Sequence, residues 1–321
     1  MQVRFWGSRG SLPASITNKM IEAKILKAVQ ASRSFELETD EAIKTFIQNE
    51  LPFAVRGGYG GNTSCVELSN AGGYILCDAG TGLRDFGNQY MKAKIAGQSK
   101  MSNIFHLFIS HLHWDHIQGF PFFTPAFITG NQVHIYGLHA DMEKAFINQQ
   151  NAPSFPVPLQ AMGADISFHV LDPGSSYHVA GMNVTGMKQN HPGDSYGYCF
   201  QQDGKKVVYS TDSEHKENAW DDHYEFIEFF KNADLLIFDA QYSFLDAVDT
   251  KENWGHSSNL LAVELAVRAG VQRLCLFHHE HTFDDEALDQ VLSDTCKYHK
   301  LHDSSCPLSI YLAYDGLKID L

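Results

Sequence analysis

Ser110-His111-Leu112-His113-Trp114-Asp115-His116-Ile117-Gln118-Gly119 places three imidazoles and a carboxylate within six residues. It follows directly on the apolar run Ile104-Phe105-His106-Leu107-Phe108-Ile109, whose pattern predicts a buried strand, while Gly119 and Pro121 predict a loop. Side chains alternate along a strand, so a strand cannot turn His111, His113, Asp115 and His116 to one side. A loop curling off the strand end can, and gathering ligands around a metal ion requires that. Imidazole with carboxylate suits zinc, manganese or iron better than calcium or magnesium. A chance cluster is the bland alternative, since 17 of the 321 residues are histidine. An H-x-H-x-D-H array placed at a strand end makes chance the weaker account.

Upstream, residues 3–6 predict a first strand that ends in the turn-rich loop 7–13. Ile16, Met20, Ile25 and Val29 then follow a helical period, and Ile43, Phe46, Ile47 and Leu51 repeat it after a capping Thr39. Two short helices between about 16 and 51 should interrupt a connection between strands. The glycine-rich stretch 57–62 lacks a following helix and a Lys-Ser/Thr pair, so it is a loop and not a phosphate cradle. Strands at 65–68 and 74–77 form a hairpin across 70–73, and the second ends at Asp78. That carboxylate is either a ligand or, preferably, an acceptor that holds a metal-binding imidazole in one tautomer.

Downstream, strands are expected at 132–136, 182–187, 195–201, 206–210, 235–238, 273–277, 308–313 and 317–321. Helices are expected from 83, at 141–147, at 257–269 and from 284 to about 301. Residues 152–158 read as an extended crossing stiffened by prolines. With no repeat, low-complexity tract or long linker, residues 1–321 should form one domain carrying insertions at about 14–58 and 139–165.

A hydrophobic content of 44% and a charged content of 19% are ordinary globular values, so a full core is expected. The 24 basic and 38 acidic residues give a net charge of −14. This balance argues against bulk nucleic-acid or anionic-membrane binding, and leaves a small anionic substrate as the expected partner. The six cysteines are scattered, without a C-x-x-C pair, and several lie in apolar strand-like runs. Without a secretory signal or an apolar stretch near the ~20 residues that span a bilayer, a cytoplasmic location is expected.

Further ligand candidates recur where predicted strands stop: His191, Asp212 and His278. For the last position, His256, His278, His279 and His281 all compete. The array and the order of its partners resemble the metallo-β-lactamase superfamily, over nearly the whole chain outside the two insertions. That resemblance implies an α/β fold, the four-layer αββα sandwich with a helical insertion near the N-terminus. It further implies two divalent transition-metal ions, zinc first and manganese or iron as alternatives. His111, His113 and His191 would hold one ion, Asp115, His116 and His278 the other, and Asp212 would bridge them; His279 is next in line for the position of His278.

Phe5-Trp-Gly-Ser-Arg-Gly-Ser-Leu-Pro13, Tyr59-Gly-Gly-Asn-Thr-Ser-Cys65, Ser195-Tyr-Gly-Tyr198 after His191, and Gly255-His-Ser-Ser258 resemble the phosphodiesterase side of the superfamily. On that side the histidine of Gly-His-Ser/Thr protonates the leaving oxygen, so Asp115 and His256 are the expected catalytic residues. The expected reaction is hydrolysis of a small cyclic phosphodiester, a cyclic nucleotide in the first place, by water that the two ions activate. A thioester or lactone hydrolase shares the ligand set, and a tRNA 3′-processing endonuclease shares the flanking motifs. The mixed charge of residues 14–58 does not make the basic arm expected of the latter. Those residues should instead serve substrate access or a homodimer contact, with Tyr59 and Phe155 as candidates for an aromatic rim.

Overall fold

The computed structural model describes residues 1–70, 73–97, 101–221, 223–242, 253–303 and 305–321. Six strands open the chain: β1 (Gln2–Gly7), β2 (Cys65–Asn70), β3 (Gly73–Cys77), β4 (Ile104–Ile109), β5 (Gln132–Gly137) and β6 (Asp165–Val170). A second set follows: β7 (Ser176–Val179), β8 (Met182–Gln189), β9 (Ser195–Gln202), β10 (Lys205–Ser210), β11 (Leu235–Asp239), β12 (Arg273–Phe277) and β13 (Ser309–Leu312). The last strand, β14 (Lys318–Asp320), leaves the second set and pairs antiparallel with β1. Two seven-stranded sheets result, ordered β14-β1-β2-β3-β4-β5-β6 and β13-β12-β11-β10-β9-β8-β7. The tip of the hairpin between β2 and β3, residues 71–72, lies outside the described residues.

Alternation along the strands builds the layers. On β4, Phe108 faces the other sheet and packs with Phe5, Tyr198, Tyr209 and Phe277. Its neighbours Phe105, Leu107 and Ile109 face outward, against Leu83, Phe86 and Tyr90 of a helix. The helices in chain order are α1 (Asn18–Ala31), α2 (Asp40–Asn49), α3 (Phe53–Arg56), α4 (Gly82–Ile95), α5 (Trp114–Ile117), α6 (Met142–Gln149), α7 (Glu225–Phe230), α8 (Asn259–Arg268) and α9 (Asp285–His302). Leu83, Phe86 and Tyr90 repeat at three and four residues, which gives α4 one apolar face for the first sheet. Met142 and Phe146 of α6 join the same layer, while Ala262, Leu265 and Leu288 of α8 and α9 cover the second sheet. Helix, sheet, sheet, helix is the four-layer αββα sandwich that the sequence led one to expect.

Local signals work at the ends of these helices. Thr39 caps α2 by accepting from the Ala42 N–H at 3.2 Å, and Ser258 caps α8 by accepting from Leu261 at 3.3 Å. Five elements escape the pattern reading: the one-turn helices α3 and α5, the second where a loop was expected, the helix α7, and the strands β6 and β7. Both strands lie at sheet edges and are half-buried, so their apolar alternation is weak. Residues 152–158 form turns and not an extended crossing. The apolar period in α1 predicts the helix correctly, and its positions Ile25 and Val29 are 58% and 57% exposed and so stand outside the core. The segment is fastened elsewhere: Lys24 Nζ pairs with Asp285 at 2.6 Å and donates to the Ala54 and Gly57 carbonyls.

Candidate metal centre

Strand ends deliver the site. His111 lies two residues beyond the end of β4, Asp212 two beyond β10, and His278 directly after β12. Asp78, Asp212 and His278 all have positive φ, at 61°, 51° and 61°, so the chain turns sharply as it leaves each strand. Such backbone is uncommon outside glycine, although Asp and His adopt it more readily than most, and it persists where surrounding contacts over-determine it. Here those contacts are the site itself.

Five triads among the described residues have their ligand atoms within metal-binding reach of one another; His256 enters two of them, and the two expected from the sequence are His111, His113 and His191, and Asp115, His116 and His278. Asp212 lies between them. Its Oδ2 is 3.5 Å from His111 Nε2 and 3.8 Å from His191 Nε2, and its Oδ1 is 3.3 Å from both His116 Nε2 and His278 Nε2. All seven residues named from the sequence therefore converge. His116 Nε2 and His278 Nε2 stand 3.1 Å apart, and His191 Nε2 and His113 Nδ1 stand 3.2 Å apart. His111 Nε2 is buried without a hydrogen-bond partner. Nitrogens that face one another, and an orphaned buried nitrogen, are costly unless a cation takes their lone pairs, so this donor set fits transition-metal ions.

The supporting contacts fix each ring. Asp78, fully buried, accepts from the Ser110 N–H at 2.7 Å, Ser110 Oγ at 2.8 Å, Tyr209 OH at 2.7 Å and His116 Nδ1 at 2.7 Å. It thus holds an imidazole, the second of the two roles open to it. His191 Nδ1 lies 2.9 Å from the Gly255 carbonyl, and His278 Nδ1 lies 3.1 Å from Gln241 Oε1. Asp115 Oδ2 accepts from the Ser11 N–H at 2.8 Å. These partners orient the donors and leave the opposite ring nitrogen toward the cluster. Gln241 carries no sequence signal, and Ser11, although it lies within the stretch 5–13, acts through its backbone N–H, which residue type does not reveal.

The competing histidines separate. His279 turns away, with Nε2 2.8 Å from the Ala313 carbonyl, and burial pushes it down to about 3. His281 sits against Glu280 at 2.9 Å. His256 reaches the cluster's edge, with Nδ1 2.9 Å from Asp239 Oδ2 and 3.9 Å from Asp212 Oδ2, and stacks on His278 at 5.0 Å. Burial opposes its charged form, yet the Asp239 carboxylate lifts it above the usual histidine value. Asp239 is the partner that strand-end reading alone left without a role. By contrast, burial drives His111 well below that value, leaving a neutral ring suited to ligation. His191 and His256 also line a cavity of about 1510 Å³.

The aromatic rim expected of Tyr59 is not there. Its ring is 2% exposed, edge-on to Phe53 at 4.9 Å, and its OH donates to Asp289 at 2.6 Å, so it is core beneath α9. Phe155 packs against Phe122 at 5.5 Å and is not among the residues lining that cavity.

The family described as Beta-lactamase superfamily domain matches residues 74–279, more than half of the chain. The chain belongs to this superfamily. Ribonuclease Z of Brevibacillus brevis is 34% identical over 93 residues, covering 29% of this chain and 27% of its own length. Ribonuclease BN of Proteus mirabilis is 23% identical over 244 residues, 61% of this chain and 77% of its own. In solved structures, the short form of human tRNase Z superposes with a TM-score of 0.60 at 19% identity, covering 100% of this chain and 99% of that one. The expectation of a metal-dependent hydrolase is borne out at this level. The expectation that bulk nucleic acid is not bound is corrected: these curated relatives are named as ribonucleases. A net charge of −14 sums the whole surface, whereas a phosphodiester meets the field at the site, which bound cations would reverse. Among the described residues, no helix is long and apolar enough to cross a membrane.

Proposed function

We propose that this member of the superfamily is a metal-dependent phosphodiesterase acting on nucleotide phosphodiesters, with a cyclic nucleotide as the first candidate. The observation that carries this reading is the Asp239–His256 pair set against the seven-residue cluster, Nδ1 to Oδ2 at 2.9 Å. His111, His113 and His191 would hold one divalent cation, Asp115, His116 and His278 the second, and Asp212 would touch both. When bound, such ions lower the pKa of water and polarise phosphoryl oxygens.

The remaining work falls to this chain's own groups. Asp239 accepts the Nδ1–H of His256, so Nε2 is the atom that carries a proton to the departing ribose oxygen. The Gly255 carbonyl ties His191 to the same loop, so the acid and one ligand move together. Asp78, Gln241 and the Ser11 N–H keep three donors from rotating away.

His256→Ala should keep its metal content while kcat on a cyclic nucleotide falls on the order of 10²–10⁴-fold. Bis(p-nitrophenyl) phosphate should suffer far less, because p-nitrophenolate leaves without a proton. Equal losses on both substrates, or loss of metal, would remove His256 from this role. A second reading, RNA cleavage of the tRNA 3′-processing kind, is favoured by the names of the relatives. A panel of 3′,5′- and 2′,3′-cyclic nucleotides, a tRNA precursor, a thioester and a lactam decides between them.

A further inference from the structure

We infer that Trp114, Trp220 and Trp254 are stacking surfaces for the planar bases of the substrate around the metal centre, an inference that rests on the phosphodiester reading above. The chain has four tryptophans. Trp6 is buried, with Nε1 donating to Glu67 at 2.9 Å and the Arg4 guanidinium over its ring. The other three are 80%, 59% and 60% exposed. Indole is the largest side chain and is highly buried on average, so leaving three of four in water is unusual.

Their placement makes the exposure meaningful: Trp220 lines the cavity, while Trp114 and Trp254 neighbour ligand candidates and the acid along the chain. Trp114 stands between His113 and Asp115 at the start of α5, beside the open side of the cluster, where His113 is itself exposed. Trp254 precedes Gly255, whose carbonyl meets His191, and lies two residues before His256. Trp220, at the end of the 3-10 turn Glu217–Trp220, lines the same cavity as His191 and His256. None of these positions belongs to the ligand set or to the acid.

The cavity wall narrows the class of ligand. Its two lysines are already engaged: Lys188 with Asp194 at 2.8 Å, and Lys216 with Glu214 at 3.9 Å and with Asn253. Asp194, Glu214, Glu217, Glu225 and Glu264 share this wall, so it leaves apolar faces such as that of Trp220, and not positive charge, to hold a ligand. A ligand that puts a phosphodiester at the metals and carries flat rings beside it is a nucleotide, either a cyclic mononucleotide or the end of a single-stranded RNA. Base-on-indole stacking tolerates any base, since each has a π-face.

The test is steady-state kinetics on the metal-loaded full chain, with Trp114→Ala, Trp220→Ala, Trp254→Ala and the matching Phe variants. Substrates are cyclic AMP, the corresponding ribose cyclic phosphate without a base, and a short single-stranded RNA; metal content is measured alongside. A responding Ala variant should raise KM roughly 10-fold on base-bearing substrates with kcat within about two-fold, an effect that Phe reverses. The loss should be confined to base-bearing substrates. One responding position points to a mononucleotide, and two or three point to RNA; both support the inference. Unchanged KM in all three Ala variants, or equal losses with and without the base, would overturn it. If the wild type hydrolyses no nucleotide, the phosphodiester reading fails separately. Quenching of tryptophan fluorescence by AMP but not by ribose 5-phosphate would then still support stacking, and its absence would end both.

Discussion

Asp78 shows how one side chain can govern a metal centre without touching it. Four donors point at its carboxylate, and one of them is a ring of the cluster. Replacing it by Asn would set an amide N–H₂ against groups that themselves donate. Asp78→Asn should keep the fold but lower metal affinity about 10–100-fold, the usual worth of an outer partner. Competition with a chelator measures this, and wild-type affinity in the variant would remove Asp78 from that role. In the sequence, Asp78 was visible only as an acid at a strand end, with two roles open. The choice needed the position of Ser110 and Tyr209, which are contributed by different sheets.

At the scale of elements, the loop 57–62 illustrates a stretch whose composition is legible but whose purpose is not. Its glycines allow Asp315, in the turn between β13 and β14, to approach closely: a Cβ at Gly60, where φ is 87°, would lie 2.1 Å from the carboxyl carbon. Asp315 accepts from the Gly61 and Asn62 N–H groups at 3.1 and 3.0 Å. Burial nevertheless pushes its carboxyl from 3.8 up to about 7. A raised folded-state value favours the protonated form. Its stabilising contribution is complete below the unfolded value of 3.8 and is lost as pH rises through about 7. Asp315→Asn, neutral throughout, should lack that decline and be the more stable of the pair at pH 8. Denaturation midpoints at pH 5 and pH 8 test this, and a variant less stable than wild type at pH 8 would refute it. The apolar periods called helices correctly in the same region, but periodicity cannot tell a core face from an exposed one, and Ile25 and Val29 were exposed.

In the whole molecule, the site stands where two sheets meet, and several hydrogen bonds cross between them beneath it, Tyr209 OH to Asp78 and Tyr196 N–H to the Ser110 carbonyl among them. Tyr198 OH on β9 donates to the Ile109 carbonyl at the end of β4 at 2.7 Å, both fully buried, immediately before the ligand loop. Tyr198→Phe would orphan that carbonyl and should cost about 1–3 kcal/mol in urea denaturation, with metal content kept. No measurable loss would mean the pin is dispensable. Much of this architecture was legible because ligand positions fall at strand ends, which apolar runs mark clearly. What was not legible was electrostatic and three-dimensional: a whole-chain charge sum argued against nucleic acid where the relatives are named as ribonucleases, and nothing in spacing paired Asp239 with His256.

On the proposed reading Asp212 would hold two ions together, since its two oxygens face different triads. The most direct measurement is metal content of the purified protein and of Asp212→Ala. The account predicts close to two transition-metal ions per chain in the wild type and loss from both sites, with loss of phosphodiester hydrolysis, in the variant. One ion in the wild type, or two tightly held ions in Asp212→Ala, would contradict it.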